Sequence, residues 1–270
     1  MPDRYGVIGH PIAHSKSPVI HAQFAEQTGE DLRYEAVDIP PAELETRIRR
    51  LIKDGMRGFN VTVPHKEAVA ALVDTSTPRA ELAGAVNTVT VTKDGRLSGD
   101  NTDGVGLARD LSENLDIAIH DASILILGAG GAARGIVPAL LMAGPKELCV
   151  ANRTPGRAEE LAEQFNELGN IRACAFDQLG DQAWDIVINA TSAGLQGEVP
   201  PFPGSLVGKQ TICYDLSYAM TETPFVSWAK AQGAKAAYQG WGMLVEQAAE
   251  AFKIWRGVRP DTRSVRRQLP

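Results

Sequence analysis

Three stretches of this chain carry residues that could do chemistry, and each stands where a strand would hand over to a helix. The first is GAGGAARG at 128–135, preceded by the apolar run 124–127. It matches G-x-G-x-x-G/A. Gly128 permits a tight turn, Gly130 lets the backbone approach a pyrophosphate, and Ala133 lets helix and strand pack closely. With Ala129, Gly131 and Ala132 between them, these residues would set phosphates against the free N–H groups and positive dipole end of a helix. A glycine-rich turn can also be only a tight connection. Here a strand precedes it, a helix runs on to about residue 143, and a second strand follows at 147–151, so the whole βαβ context for a dinucleotide is present.

The second stretch follows that second strand and distinguishes the two nicotinamide dinucleotides. A NAD site places a carboxylate there to accept hydrogen bonds from the ribose 2′-OH, and that carboxylate would repel a 2′-phosphate. This chain reads Asn152-Arg153-Thr154-Pro155-Gly156-Arg157, with no carboxylate before Glu159. Arg153 can stack on adenine and pair with a 2′-phosphate, Thr154 and Asn152 can donate to it, and Arg157 adds charge. Two solvated arginines at a helix start would oppose the helix dipole. The pattern therefore reads as a site for NADP(H).

The third group is spread over the first hundred residues. Ser15 and Ser17 precede or open a helix with Pro18 at its first position, where hydroxyls and free N–H groups would suit a carboxylate ligand or simply cap the helix. Asn60 to Lys66 puts polar residues at the C-terminal end of a strand, the place where open α/β sheets bind ligands. Lys66 opens the next helix, an unfavourable position for a cation unless a ligand or carboxylate holds it; the alternative is an exposed lysine. GDNTDG at 99–104 is dense in groups that bind hydroxyls, or that merely form turns. It fails the EF-hand template. His10, His14 and His21 have no carboxylate or cysteine at ligand spacing, so no metal site is expected.

The elements that must position these groups follow from pattern. Strands are expected at 5–8, 32–37 and 58–61, with a helix at 19–27 capped by Ser17, an amphipathic helix at 41–53, and a hairpin turning at 93–95. Further strands are expected at 171–176, 185–189, 211–216 and 235–238, and a helix at 243–255 with Leu244, Ala248, Ala251 and Trp255 on one side. Pro200, Pro201 and Pro203 make a stiff loop without an assigned role.

With 270 residues, 44% hydrophobic and 22% charged, the chain is long enough for two ordinary globular domains. No apolar run approaches the ~18 residues of a membrane span, and the first residues lack the features of a signal peptide. A net charge of −6 argues against a nucleic-acid surface. Arg263, Arg266 and Arg267 read as a solvated helix face. Cys149, Cys174 and Cys213 show no C-x-x-C spacing and read as free thiols of a cytoplasmic protein.

SKSP at 15–18, NVTVPHK at 60–66, GAVNT at 84–88, GDNTDG, GAGGAARG, NRT at 152–154, NATSAG at 189–194 and GMLVEQAAEAF at 242–252 resemble the shikimate dehydrogenase family, in the same order and over essentially the whole chain. The resemblance implies an α/β protein with an N-terminal, mostly parallel α/β substrate domain (residues 1–103 and 241–270). A Rossmann-type doubly wound domain (104–240) would bind NADP(H), and both ligands would share the crevice between the domains. It implies reversible reduction of 3-dehydroshikimate to shikimate, with Lys66 as acid/base and Asp103 holding its ammonium. It further implies Ser15, Ser17 and Tyr218 on the substrate carboxylate side, and Thr62, Asn87 and Gln247 on its ring hydroxyls and carboxylate. Thr191, Leu216 and Gly240 would frame the nicotinamide. A monomer or homodimer is expected, without nucleic acid or membrane partners. The alternatives are a quinate/shikimate dehydrogenase with relaxed cofactor use and a non-catalytic NADP(H)-sensing regulator.

Overall fold

The computed structural model describes residues 2–180, 182–191 and 202–268. The chain divides into two compact units, Met1–Gly106 with Leu244–Leu269, and Leu107–Met243. It passes between them once in helix α5 (Asp103–Arg109) and once in helix α9 (Trp241–Arg256).

The first unit is built on strands β1 (Asp3–Gly9), β2 (Leu32–Asp38), β3 (Met56–Val61), β4 (Thr75–Ser76), β5 (Thr88–Val91) and β6 (Leu97–Asp100). They form one sheet in the order β2-β1-β3-β5-β6-β4. β1 runs parallel to both β2 and β3, and β5 alone is antiparallel to its neighbours. The chain leaves β1 for helix α1 (Ser17–Thr28) and β2 on one side, while β3 lies on the other. That divergence is a topological switch point, and it opens a crevice beyond the C-terminal ends of β1 and β3. β3 leads to helix α3 (Lys66–Ala70). Because β5 is antiparallel, its N-terminus and Asn87 lie at this same edge, as does the end of β6 with residues 101–103.

Both faces of this sheet are covered. On one, Ile8, Ile39, Leu44, Ile48, Met56, Phe59, Val61 and Val89 form an apolar core with helix α2 (Leu44–Lys53). On the other, Ile20 and Phe24 of α1 meet Val245, Ala248, Ala249 and Phe252 of α9, with Val265 of helix α10 (Thr262–Arg266). Phe24, Phe59 and Phe252 are wholly buried, each worth about 1.5–3 kcal/mol of transfer free energy. Helix α4 (Pro78–Ala83) has Thr77 as its N-cap, the hydroxyl accepting from the Ala80 N–H.

The second unit is a single parallel sheet of β7 (Ser123–Leu127), β8 (Glu147–Asn152), β9 (Ile171–Ala175), β10 (Ile186–Asn189), β11 (Ile212–Asp215) and β12 (Ala236–Gln239). Its order is β12-β11-β10-β7-β8-β9, the doubly wound arrangement in which β7 and β10 flank the switch point. Residues 124–127 are all fully buried, as a strand with both faces covered requires. Helices α6 (Gly131–Met142), α7 (Pro155–Phe165) and α8 (Pro224–Ala231) connect the strands. Among the described residues no helix is long and apolar enough to cross a membrane.

Several local expectations are corrected. The N-cap of α1 is Lys16, whose carbonyl accepts the first helical bond from the Ile20 N–H at 3.1 Å, and Ser17 is the helix's first residue, its N–H donating to the Ser15 hydroxyl at 3.3 Å. The stretch from Pro41 begins as a 3-10 turn over Pro41–Glu43 before α2, closed by the Leu44 N–H donating to the Pro41 carbonyl. α9 buries Ala248 and Ala251 as its spacing implies, but also Glu246 and Glu250, both of which bind Arg259. Arg266 lies 3.7 Å from Glu246, so it belongs to this ion cluster rather than to a solvated face. Pro200, Pro201 and the end of NATSAG from Ser192 lie outside the described residues. Cys149 and Cys174 are free thiols 3.3 Å apart on neighbouring strands.

Candidate active site

At the crevice edge of the first sheet, four separate chain segments converge. Lys66 begins α3 as expected, with Glu67 beside it in the first turn. The preceding His65 is 1% exposed and its Nε2–H donates to the Ile39 carbonyl at 2.7 Å, which pins the turn that delivers Lys66. Lys66 Nζ donates to Asp103 Oδ2. This pair is largely withdrawn from water, with side chains 14% and 5% exposed. The cation at a helix start is thus compensated by a carboxylate, which removes the electrostatic objection raised by its position.

Asp103 is itself fixed from several directions. Its N–H donates to Asn101 Oδ1 at 3.1 Å, and its Oδ1 accepts from Asn87 Nδ2 at 2.8 Å. Asn87 Nδ2 also reaches Thr102 Oγ1 at 2.9 Å and Gln247 Oε1 at 3.3 Å. Gln247 comes from α9, and its Nε2 donates to the Leu244 carbonyl at 3.0 Å. Lys66, Asn87, Asp103 and Gln247, drawn from four places in the sequence, therefore share one hydrogen-bonded cluster. The short connection that leads into Asp103 starts at Asp100, which Arg79 clamps with two bonds of 2.6 and 2.9 Å. Burial would raise the Asp100 carboxyl, but Arg79 and Thr77 overcome it and hold the group below its ordinary value.

Thr62 lies in the same crevice, its backbone N–H bonded to the Ile8 carbonyl at 2.9 Å. Ser15 and Ser17 occupy the loop leaving β1 and the first turn of α1. Of the three histidines considered for a metal, His10 pairs with Asp38 and His21 is stacked flat on Tyr34 at 4.1 Å between ring centroids. Burial lowers the His21 pKa to about 3, so it is a neutral ring. Tyr218 belongs to the second unit, against Trp241 at 4.4 Å.

In the second unit, Gly128 has φ +108° and a Cβ there would come within 3.0 Å of the Ala190 backbone. No L side chain suits that turn. Gly130, extended at the N-cap of α6, has open space where its Cβ would be, so a ligand can approach its backbone. The N-cap supplies no side-chain acceptor, leaving the first N–H groups of α6 for an anion. Ala133 is fully buried against the sheet. At the end of β8, Asn152 Nδ2 bonds the Thr154 carbonyl at 2.9 Å, and the exposed Arg153 and Arg157 have no carboxylate partner among the described residues. Phosphate-binding turn, absent carboxylate and two uncommitted guanidiniums fit a 2′-phosphorylated dinucleotide.

The residues expected to frame a nicotinamide are tied together by two groups the sequence reading did not single out for a role, Asn189 and Asp215. Asn189 Oδ1 accepts from both the N–H and the hydroxyl of Thr191, at 3.2 and 2.7 Å. The Asn189 carbonyl accepts from the Leu216 N–H at 2.9 Å, and Asp215 Oδ1 accepts from Asn189 Nδ2 at 3.0 Å. Asp215 is fully buried, and burial raises its pKa against these hydrogen bonds. Gly240 passes so close to the Leu216 carbonyl that a Cβ would stand 2.4 Å from it. The polar side chains at strand ends were the available signal for Asn189 and Asp215.

Fold and site together define a nucleotide-binding α/β oxidoreductase with an ion-paired lysine at the crevice of its first sheet. Family models match three stretches: the shikimate dehydrogenase substrate-binding domain over residues 7–89, shikimate/quinate 5-dehydrogenase over 109–196, and the shikimate 5′-dehydrogenase C-terminal domain over 240–269. The shikimate dehydrogenase (NADP(+)) of Alkalilimnicola ehrlichii is 53% identical, covering 98% of this chain and 97% of its own. An Ael1 enzyme from Pseudomonas putida superposes with TM-score 0.90 at 43% identity, covering 99% and 98% of the two chains. The shikimate 5-dehydrogenase of Thermus thermophilus, in complex with NADP(H) and shikimate, does so with TM-score 0.86 at 38% identity over 98% and 97%. The chain belongs to the shikimate dehydrogenase family.

Proposed function

We propose that the protein catalyses the reversible, NADPH-dependent reduction of 3-dehydroshikimate to shikimate. The observation that carries this reading is the Lys66–Asp103 ion pair at the crevice of the first sheet. NADPH, when bound, supplies the hydride. Reduction of the ketone places negative charge on its oxygen, and Lys66 gives that oxygen a proton from Nζ; in the reverse direction it takes the proton back. Asp103 holds Nζ in place and offers its carboxylate to a neighbouring substrate hydroxyl. The Ser15 and Ser17 hydroxyls bind the substrate carboxylate with Tyr218, while Thr62, Asn87 and Gln247 bind the ring hydroxyls and carboxylate.

Residues 1–103 with 241–270 form the substrate domain in this reading, and 104–240 the NADP-binding domain. Gly128, Ala129, Gly130, Gly131 and Ala132 cradle the pyrophosphate. Asn152, Arg153, Thr154 and Arg157 hold the 2′-phosphate, and Thr191, Leu216 and Gly240 frame the nicotinamide. Initial rates with shikimate and with quinate, each paired with NADP⁺ and with NAD⁺, test the proposal. Shikimate with NADP⁺ should give the highest kcat/KM of the four. Absence of turnover with shikimate and either cofactor would refute it.

A further inference from the structure

Behind the Lys66–Asp103 pair lies a chain of polar side chains to which the proposed chemistry assigns nothing: the half-buried Tyr34 and the buried Asn60 and Thr88. Asn60 is 5% exposed and Thr88 not at all. Such groups are costly to bury unless each bond is made, and here the bonds are made in one direction only.

The direction follows from two backbone groups. The Asn87 carbonyl can only accept, and Asn60 Nδ2 donates to it at 3.1 Å, which fixes the Asn60 amide with its NH₂ inward. The Thr102 N–H can only donate, and it donates to Asn87 Oδ1 at 2.8 Å, so the Asn87 NH₂ must face Asp103. Thr88 stands between these amides. Its hydroxyl accepts from Asn60 Nδ2 at 3.0 Å and spends its single proton on Asn87 Oδ1 at 2.8 Å. At the far end, the Tyr34 hydroxyl donates to Asn60 Oδ1 at 2.7 Å. The series thus runs Tyr34 to Asn60 to Thr88 to Asn87 to Asp103, each member donating to the next. Each bond polarises its successor in the same sense, so positive ends of dipoles point at Asp103 Oδ1. The opposite oxygen, Oδ2, receives Lys66 Nζ.

We propose that Thr88 is a positioning residue for the reaction: by holding and polarising the Asn87 amide, it fixes the Asp103 carboxylate in the orientation that aims Lys66 at the substrate oxygen. Asn60 and Tyr34 extend the same support. The Thr88 hydroxyl bonds to Asn60 and Asn87, with Thr102 at 3.4 Å, and acts on Asp103 through Asn87. A valine there keeps the branched shape in the strand but cannot accept from Asn60 or donate to Asn87, so the Asn87 amide keeps its bond from the Thr102 N–H and loses the hydroxyl donor that holds and polarises it from the strand side.

The inference rests on the assignment of Lys66 and Asp103 in the proposed function, and the experiment separates the two. Thr88→Val, Thr88→Ser, Tyr34→Phe and Lys66→Met are assayed in full-length protein with NADPH and 3-dehydroshikimate, alongside their thermal midpoints. The expected result for Thr88→Val is a kcat lowered about three- to ten-fold, the scale of one hydrogen bond, with KM for NADPH unchanged. Thr88→Ser, which restores the hydroxyl, should return kcat to within about two-fold of the wild type. A purely structural role for Thr88 would lower the thermal midpoint without this split or this rescue. Unchanged kcat in folded Thr88→Val, or failure of serine to rescue, overturns the inference. Should Thr88→Val not fold, Tyr34→Phe decides: a smaller fall in kcat supports the chain of donors, and an unchanged kcat rejects it. If Lys66→Met itself keeps turnover, it is the underlying assignment that fails.

Discussion

Replacing Lys66 by methionine removes one ammonium while keeping an unbranched stem of similar length, so packing at the start of α3 is largely preserved. Two effects follow from the geometry. The reaction loses the group that protonates the substrate oxygen, and general acid–base groups contribute about 10²–10⁴ in rate, or about 2.7–5.4 kcal/mol in the barrier at 1.36 kcal/mol per decade. Asp103, 5% exposed on its side chain, also loses its counter-ion and keeps the Asn87 amide as its polar side-chain partner. Breaking a fully buried pair costs about 3–5 kcal/mol of stability. The Lys66 side chain is 14% exposed at a crevice open to solvent, so a smaller loss, about 1–3 kcal/mol, is expected. The assay is the nicotinamide absorbance under saturating NADPH and 3-dehydroshikimate, with urea unfolding in parallel. The expected outcome is a kcat lowered by two to four decades with KM for substrate changed far less. Pairing the change with Asp103→Asn should give a double variant little worse than the poorer single one, because the two groups work as a unit. A variant with near-normal kcat and a raised KM would refute the reasoning, since Lys66 would then only bind.

Two other perturbations probe the remaining assignments. Arg153→Ala should raise KM for NADPH by about five- to thirty-fold, the scale of one solvent-screened charge-assisted bond, and leave KM for NADH nearly unchanged; equal losses for both cofactors would reject the 2′-phosphate clamp. Asp100, held below the ordinary carboxylate value of 3.8 despite burial, contributes stability that is present above that value and lost as pH falls through the folded-state value. Urea midpoints measured between pH 7 and pH 3 should therefore fall less steeply in Asp100→Asn than in the wild type, and parallel curves would contradict the role given to Arg79.

What could be read from the sequence was what depends on neighbours in the chain. The glycine turn at 128–135 announces itself because turn, phosphate approach and helix packing are all settled within eight residues. Lys66 was visible as an anomaly, a cation at a helix start, yet its partner stands 37 positions away. Only family likeness joined the two before the fold was known. Thr88 gave no warning of its own, since a threonine in a strand is ordinary β-propensity, and Asn60 stood out only as the start of a polar stretch at a strand end. Their roles come from strand register, which sets Asn60 opposite Thr88. Arg266 misled for the opposite reason: it looks like one of three solvated arginines until α10 is set beside the buried Glu246.

The interrupted course of the first unit has a consequence for how the molecule is made. Ile20 and Phe24 are covered by Val245, Ala248 and Phe252, which leave the ribosome more than two hundred residues later. At about 5–20 residues per second, that face of the earliest-made sheet waits on the order of ten seconds or more for its lid. The uninterrupted stretch 107–243 meanwhile has all its strands in hand. Synthesis and assembly should therefore run in opposite order. A nascent chain held on the ribosome with residue 243 clear of the exit tunnel should resist protease at the described residues of 107–243 while residues 2–106 are still cut, and equal protection of both would dismiss the idea.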